Sequence, residues 1–170
     1  NENIVAIEAK EKINTLVQKQ NPLITEREFE QLLNDLGSRF INALSSEKLA
    51  LAIAMYFRAK TRDSCQYELT INENWKESEQ GSLQIVLAWR NTPKHNFLYR
   101  LARTIHRYHL VMKRVDATYV HPYSRDSTLI MTLDLHGANG EAVSDVANIP
   151  DFMRELITVK YFASFDRLDS

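Results

Sequence analysis

A change of period in the middle of the chain constrains the fold more than any other feature. In LQIVLAW, Leu83, Ile85, Leu87 and Trp89 alternate with Gln84, Val86 and Ala88, the period of two expected of a strand with one face well buried. RNTP breaks that rhythm. Phe97, Leu101, Ile105 and Tyr108 then recur at i, i+4, i+8 and i+11, which places them on one helix face. Thr92 reads as the N-cap and Pro93 as the first helical residue, where its missing N–H costs nothing. A strand whose helix packs back on it is half of a split βαβ unit.

The residues before this unit read as helices. Ile4, Ile7, Ile13, Leu16 and Val17 give residues 3 to about 20 an apolar stripe, and Asn21-Pro22 ends it, because the residue before proline is pushed out of the helical region. Thr25 and Glu28 have capping-box spacing and open a second helix carrying Phe29, Leu32, Leu33, Leu36 and Phe40. Gly37 lies inside it at a cost of up to about 1 kcal/mol relative to alanine, which implies close packing or a kink. Ser45-Ser46 caps a third helix with Leu49, Leu51, Ile53, Ala54 and Phe57.

Strand patterns follow. Tyr67, Leu69 and Ile71 alternate with polar neighbours. Val111, Val115, Ala117 and Tyr119 alternate with Arg114, Asp116 and Thr118, charges that suit a sheet edge because they discourage stray pairing. Leu129, Met131, Leu133 and Leu135 share one face of the next strand. A helix covers about 144–156, restarted or bent at Pro150, and Ile157, Val159, Tyr161, Ala163 and Phe165 suggest a final strand. From Leu83 the order is βαββαβ. The chain is therefore read as α+β, with a ferredoxin-like antiparallel sheet carrying both helices on one face. Residues 1–62 form an N-terminal helical segment packed on the α+β domain of residues 63–170.

The bulk numbers exclude more than they assign. A chain of 170 residues with 44% hydrophobic content can build a real core, and a formal net charge of -1 gives no global reason to expect nucleic acid. Cys65 is the single cysteine, so neither an internal disulfide nor a cysteine-based metal site can form, and no apolar run suggests a membrane span. With no signal-like start, a cytoplasmic protein is expected. The chain begins at Asn1 without an initiator Met and stops in FDRLDS, as a piece cut from a longer protein does.

Candidate chemistry is sparse. Gly37, Gly81, Gly137 and Gly140 form no phosphate-binding glycine motif, so no dinucleotide site is expected. His106 and His109 stand at i, i+3 and His121 and His136 could lie near them, but no HExxH and no carboxylate at zinc spacing accompanies them, so the plainer reading is histidines at the wet end of a helix and no metal or catalytic residue is assigned. Cys65 is flanked by Asp63 and Glu68, which disfavour a thiolate. Arg100, Arg103 and Arg107, with Lys113 and Arg114 beyond, make a basic stripe that could meet an acidic ligand or surface; the plainer reading is a solvated face balanced by Asp145, Asp151, Glu155 and Asp166. In RNTPKHNF, backbone amides and a helix N-terminus converge and favour an anion such as an α-carboxylate; the plainer reading, of equal weight, is a capped βα turn.

The order βαββαβ with a polar N-x-P turn after its first strand resembles an ACT domain, the small regulatory module of amino-acid metabolism. Asn91-Thr92-Pro93-Lys94 keeps part of the D-x-P-G turn typical of that module, with Lys94 in place of glycine. Over a longer stretch, SSEKLALAIAMYFRAKTRDSCQYELTINENW and LQIVLAWRNTPKHNFLYRLARTIHRY are similar to the N-terminal, ACT-like region of the large bacterial NAD-specific glutamate dehydrogenases. That resemblance covers roughly Ser45 to Phe165. It implies a regulatory or assembly domain of an enzyme that oxidatively deaminates L-glutamate with NAD, the domain itself holding neither catalytic residues nor NAD. It further implies a homo-oligomer formed through the sheet edge or helices, contact with the rest of the parent enzyme, and an amino-acid effector near Arg90, Asn91, Thr92, His95, Asn96 and Arg100, with no nucleic-acid or membrane partner. The competing expectation is a purely structural interaction domain without a small-molecule ligand. An RNA-binding module is disfavoured by the missing aromatic pair on the central strands.

Overall fold

The computed structural model describes residues 7–62, 64–92 and 96–159. Two compact units divide the chain. One comprises Asn1–Glu68, Val86–Asn91 and Asp116–Thr132; the other comprises Leu69–Ile85, Thr92–Val115 and Leu133–Ser170.

The helices of the first unit follow their local signals. α1 (Ile7–Gln20) ends at Asn21, whose amide donates to the Val17 carbonyl at 2.9 Å. α2 (Glu26–Asp35) opens on a complete capping box: the Glu28 amide donates to Thr25 Oγ1 at 3.1 Å, and the Thr25 amide donates to Glu28 Oε1 at 3.1 Å. The hydrogen bond from the Thr25 backbone, then that from its hydroxyl, holds the Glu28 carboxyl below its ordinary value. Replacing Thr25 by alanine removes the amide's acceptor and costs about 1 kcal/mol, read as a lower midpoint in urea unfolding. Because the Glu28 pKa is depressed in the folded chain, its share of stability is present above the unfolded carboxylate pKa and lost as pH falls through the folded one. T25A keeps the backbone amide, the larger cause, and loses the hydroxyl's share, so its acid limb should be slightly shallower.

The helix expected to run through Phe40 is broken. Leu36 and Gly37 adopt extended backbone (ψ 144° and 139°), and α3 (Ser38–Ala43) restarts after them. Crowding is not the cause, since a Cβ on Gly37 would meet Thr118 Oγ1 at an ordinary 3.5 Å. The kink lets Leu36, Phe40 and Ile41 all stay buried. α4 (Ser46–Lys60) is capped by Ser45, whose hydroxyl accepts from the Lys48 amide at 3.2 Å. Ala50, Ala52, Ala54 and Ala59 keep that helix slim, and α1 packs along it. The core of this unit joins α1–α4 to Val86, Ala88, Val120 and Ile130. Among the described residues no helix is long and apolar enough to cross a membrane.

β1 (Gln66–Ile71), β2 (Leu83–Arg90), β3 (Leu110–Val120) and β4 (Thr128–Gly137) form one antiparallel sheet in the order β1-β2-β4-β3, giving an α+β fold. The chain runs from β2 through α5 (Phe97–Arg107) to β3, and β4 then enters between them. Hydrogen bonds at the strand ends fix the register: the Asn91 amide donates to the Ser127 carbonyl at 2.8 Å and the Ala138 amide to that of His109 at 2.9 Å. α6 (Val143–Val146) and α7 (Ile149–Leu156) follow, and Pro150 restarts the helix as its position implies, with Asn148 Oδ1 accepting from the Asp151 amide at 3.0 Å.

Three strand expectations change. Both side-chain rows of β2 and β4 are buried, so neither strand is covered on one face only; Gln84, Thr132 and Asp134 lie on the rows read as polar and are nonetheless buried. In β1 the buried residue is Gln66, held by Arg58 and Ser64, whereas Ile71 is 60% exposed. The strand expected from Ile157 does not start there: Ile157 caps α7 and the Thr158 amide closes a turn onto the Glu155 carbonyl at 3.2 Å. Residues 160–165 of that expectation lie outside the described residues. The position beside β2 belongs to β1, and β3 occupies the sheet edge that its charged residues suit.

Candidate functional site

The turn after β2 differs in form from the local reading. Arg90 lies half-buried with its guanidinium 2.9 Å from Asp126 Oδ1, and it also donates to the Lys60 carbonyl at 3.4 Å. Asn91 follows in the left-handed region at φ 56°. Thr92 does not cap the helix. It is 8% exposed, and its hydroxyl has no hydrogen-bond partner among the described residues. α5 begins four residues later than Pro93 would place it, at Phe97, behind Asn96, another left-handed asparagine at φ 59° whose side chain makes no capping bond. Asparagine tolerates that region better than other residues with a Cβ, which explains its use at both corners. Pro93, Lys94 and His95 lie outside the described residues. Arg90 and Asn91 belong to the first unit, and Thr92, Asn96 and Arg100 to the second.

A better-formed site lies within the second unit, on the polar side of α5. Arg100, Arg103, Thr104 and Arg107 fall at i, i+3, i+4 and i+7, so the helix presents them in one row. They line a cavity of about 190 Å³ whose remaining described walls are Glu155 and Val159, from α7 and the turn behind it. Phe97, Leu101 and Ile105 are buried on α5, as are Phe152, Met153 and Leu156 on α7, and the two helices pack together. Thr104 is buried and its hydroxyl donates to the Arg100 carbonyl at 3.1 Å.

Charge is unevenly distributed around this cavity. Arg107 is ion-paired with Glu155. The Tyr108 phenol donates to the Asp151 carbonyl at 3.4 Å and is held above its ordinary value, first by its interaction with the Glu155 carboxylate and then by burial. Arg103 lies with its guanidinium carbon 5.8 Å from the Tyr99 ring centroid, a cation–π contact that steadies the side chain. The acids that sequence set against this stripe are mostly elsewhere: Asp151 pairs with Arg154 at 2.7 Å, Asp145 is solvent-exposed, and Asp166 lies outside the described residues. Arg100, Arg103, Arg107 and Glu155 are the charged residues of the described lining.

Other candidates disperse. His121 sits 2.9 Å from Asp35, and His136 stacks on Trp75 at 5.4 Å while bonding the Gly137 carbonyl at 2.7 Å. Among the described residues no group of three metal-ligating side chains converges. A second cavity of about 220 Å³, lined by Asn72, Trp75, Ser82, Val143 and Ile149 among others, carries Glu73 as its one charged described residue. The basic row was visible in sequence, but the wall that makes it a cavity was not, because Glu155 stands 48 residues beyond Arg107. No protein-family model, no curated protein and no solved structure matches this chain.

Proposed function

We propose that this chain is an ACT-like regulatory or assembly domain of an NAD-dependent glutamate dehydrogenase, the parent enzyme oxidatively deaminating L-glutamate to 2-oxoglutarate while this domain takes no part in the chemistry. The observation that supports the reading is the strand order. β2–α5–β3 with β4 inserted between the two strands is the connectivity of a split βαβ unit, the core of the ferredoxin-like arrangement, and β1 supplies the flank beside β2. Self-association through β3 fits the same reading, since Val111, Met112 and Val115 are 38%, 38% and 45% exposed on that edge strand.

An amino-acid effector at the turn is the regulatory part of this proposal. A thermal-shift screen against the twenty amino acids and NAD tests it. One or two amino acids should raise Tm increasingly with concentration, by about 2.7 kcal/mol of stabilisation at a hundredfold excess over Kd. NAD should do nothing. Asn96→Gly keeps the left-handed backbone while deleting the amide side chain, so it should fold normally and lose the effector-induced shift. A flat response to all twenty compounds favours the second reading, a structural interaction domain without a ligand. The commitment of Arg90 to Asp126 and the Lys60 carbonyl is the observation on that side.

A further inference from the structure

We infer that Met112 is an oxidation site, and that its conversion to the sulfoxide loosens the pairing of two copies of this chain through β3. The site follows from burial and placement in the fold. The consequence for pairing rests on the self-association proposed above.

The chain has four methionines. Met55 and Met131 are fully buried and Met153 is 3% exposed, whereas Met112 is 38% exposed on the edge strand. A dissolved peroxide therefore reaches one thioether and is kept from the other three. The Met112 sulfur attacks one oxygen of hydrogen peroxide, an S–O bond forms as the O–O bond breaks, and the second oxygen leaves as water after taking up the proton. Sulfur gives up two electrons and the peroxide accepts them. An apolar side chain becomes a polar one, and methionine sulfoxide reductases can reverse the change.

The place of Met112 gives that change an effect. Val111 and Val115, on the same edge strand, are 38% and 45% exposed. A second copy of β3 suits this edge by charge. Because opposite residues of an antiparallel pair share a face, two-fold pairing of identical strands sets one residue against its own copy. Centring on Val115 sets Arg114 against Asp116 of the second copy, and the reverse; centring on Lys113, Arg114 or Asp116 sets like charges face to face. Arg114 and Asp116 also have contacts within their own chain, so the match lies in the signs of their charges and not in either being free. Met112 shares the face of Arg114, two residues along, and so lies in the seam. Side chains of a strand project from the sheet faces, which leaves its sulfur within reach of peroxide when the edges pair.

Peroxide treatment of the 170-residue chain, read by peptide mass spectrometry and by sedimentation velocity across concentrations, tests both parts. Met112 should oxidise about tenfold or more faster than Met55, Met131 and Met153, and all four should react alike in urea. Oxidation should raise the dimer Kd by about threefold or more, since two-fold symmetry alters two cross-strand contacts at once. Met112→Leu should keep the Tm and the pairing and make the pairing indifferent to peroxide, whereas Met112→Gln should pair as weakly as the oxidised chain. Oxidation of Met112 no faster than of the buried three would overturn the site. Unchanged pairing after oxidation, or equal peroxide sensitivity in Met112→Leu, would overturn its consequence. An untreated chain that stays monomeric at every concentration would sink the self-association reading, and the consequence with it.

Discussion

Replacing Gly81 by alanine is expected to cost about 3 kcal/mol or more, at the top of the range for an overpacked interior site. Gly81 is buried at the entry to β2, and a Cβ built on it falls 2.5 Å from the Leu135 amide nitrogen, 2.7 Å from the Leu135 carbonyl oxygen and 2.8 Å from the Asp134 carbonyl carbon. All three are backbone atoms of β4. No rotamer change can relieve the contact, so the strand ends must separate. Separation also breaks a local network. The Gly81 amide donates to Asp134 Oδ1 at 3.4 Å, the Ser82 hydroxyl donates to the Leu135 carbonyl at 3.3 Å, and the same hydroxyl accepts from the Val143 amide at 2.9 Å. Urea unfolding should show the midpoint falling by about 1–2 M at an m-value near 2 kcal/mol/M. Gly140→Ala is the matched control: φ is +74° there, but nothing lies within 4 Å, so its cost is backbone strain alone, about 1–2 kcal/mol. If G81A proved the milder of the two, the close approach of β2 to β4 would be wrong.

Gly81 also illustrates where sequence reading stopped. A glycine after a polar connector looks like turn punctuation, and its reason is a strand more than fifty residues away. Signals complete within a few residues read through to structure. The Thr25–Glu28 box, the Ser45 cap and the Pro150 restart each form from neighbours in the chain. Thr92-Pro93 looked equally complete and failed, because Thr92 is buried at the end of β2 and the chain needs two left-handed asparagines before α5 can start. There a tertiary demand overrode a local preference. Periodicity found β2 and β4 but underestimated them: with Val86, Ala88 and Ile130 in the first unit's helical core, the supposedly polar rows are buried as well, and alternation cannot report a strand covered on both sides. The same limit applies to the cavity. Helical spacing put Arg100, Arg103 and Arg107 on one face, yet only α7 turns that face into a site.

The largest single loss is expected from Phe152→Ala, about 3–5 kcal/mol. Phe152 is fully buried on α7, and its ring meets that of Tyr108 edge-to-face at 5.4 Å and 68°. Truncation removes the transfer free energy of the ring, leaves a cavity that its neighbours fill only in part, and deletes the aromatic contact, which alone accounts for about 0.5–1.5 kcal/mol. The functional consequence reaches further than the loss of stability. Glu155 and Val159 form the α7 wall of the basic cavity, and Phe152 lies one turn before Glu155 without lining the cavity itself. If α7 is seated by Phe152, then F152A should speed amide hydrogen exchange along α7 under conditions where the variant is still fully folded. Phe152→Leu, which keeps most of the volume, should cost much less in both readouts. Unchanged exchange along α7 in a folded, destabilised F152A would mean that α7 is seated against α5 without Phe152.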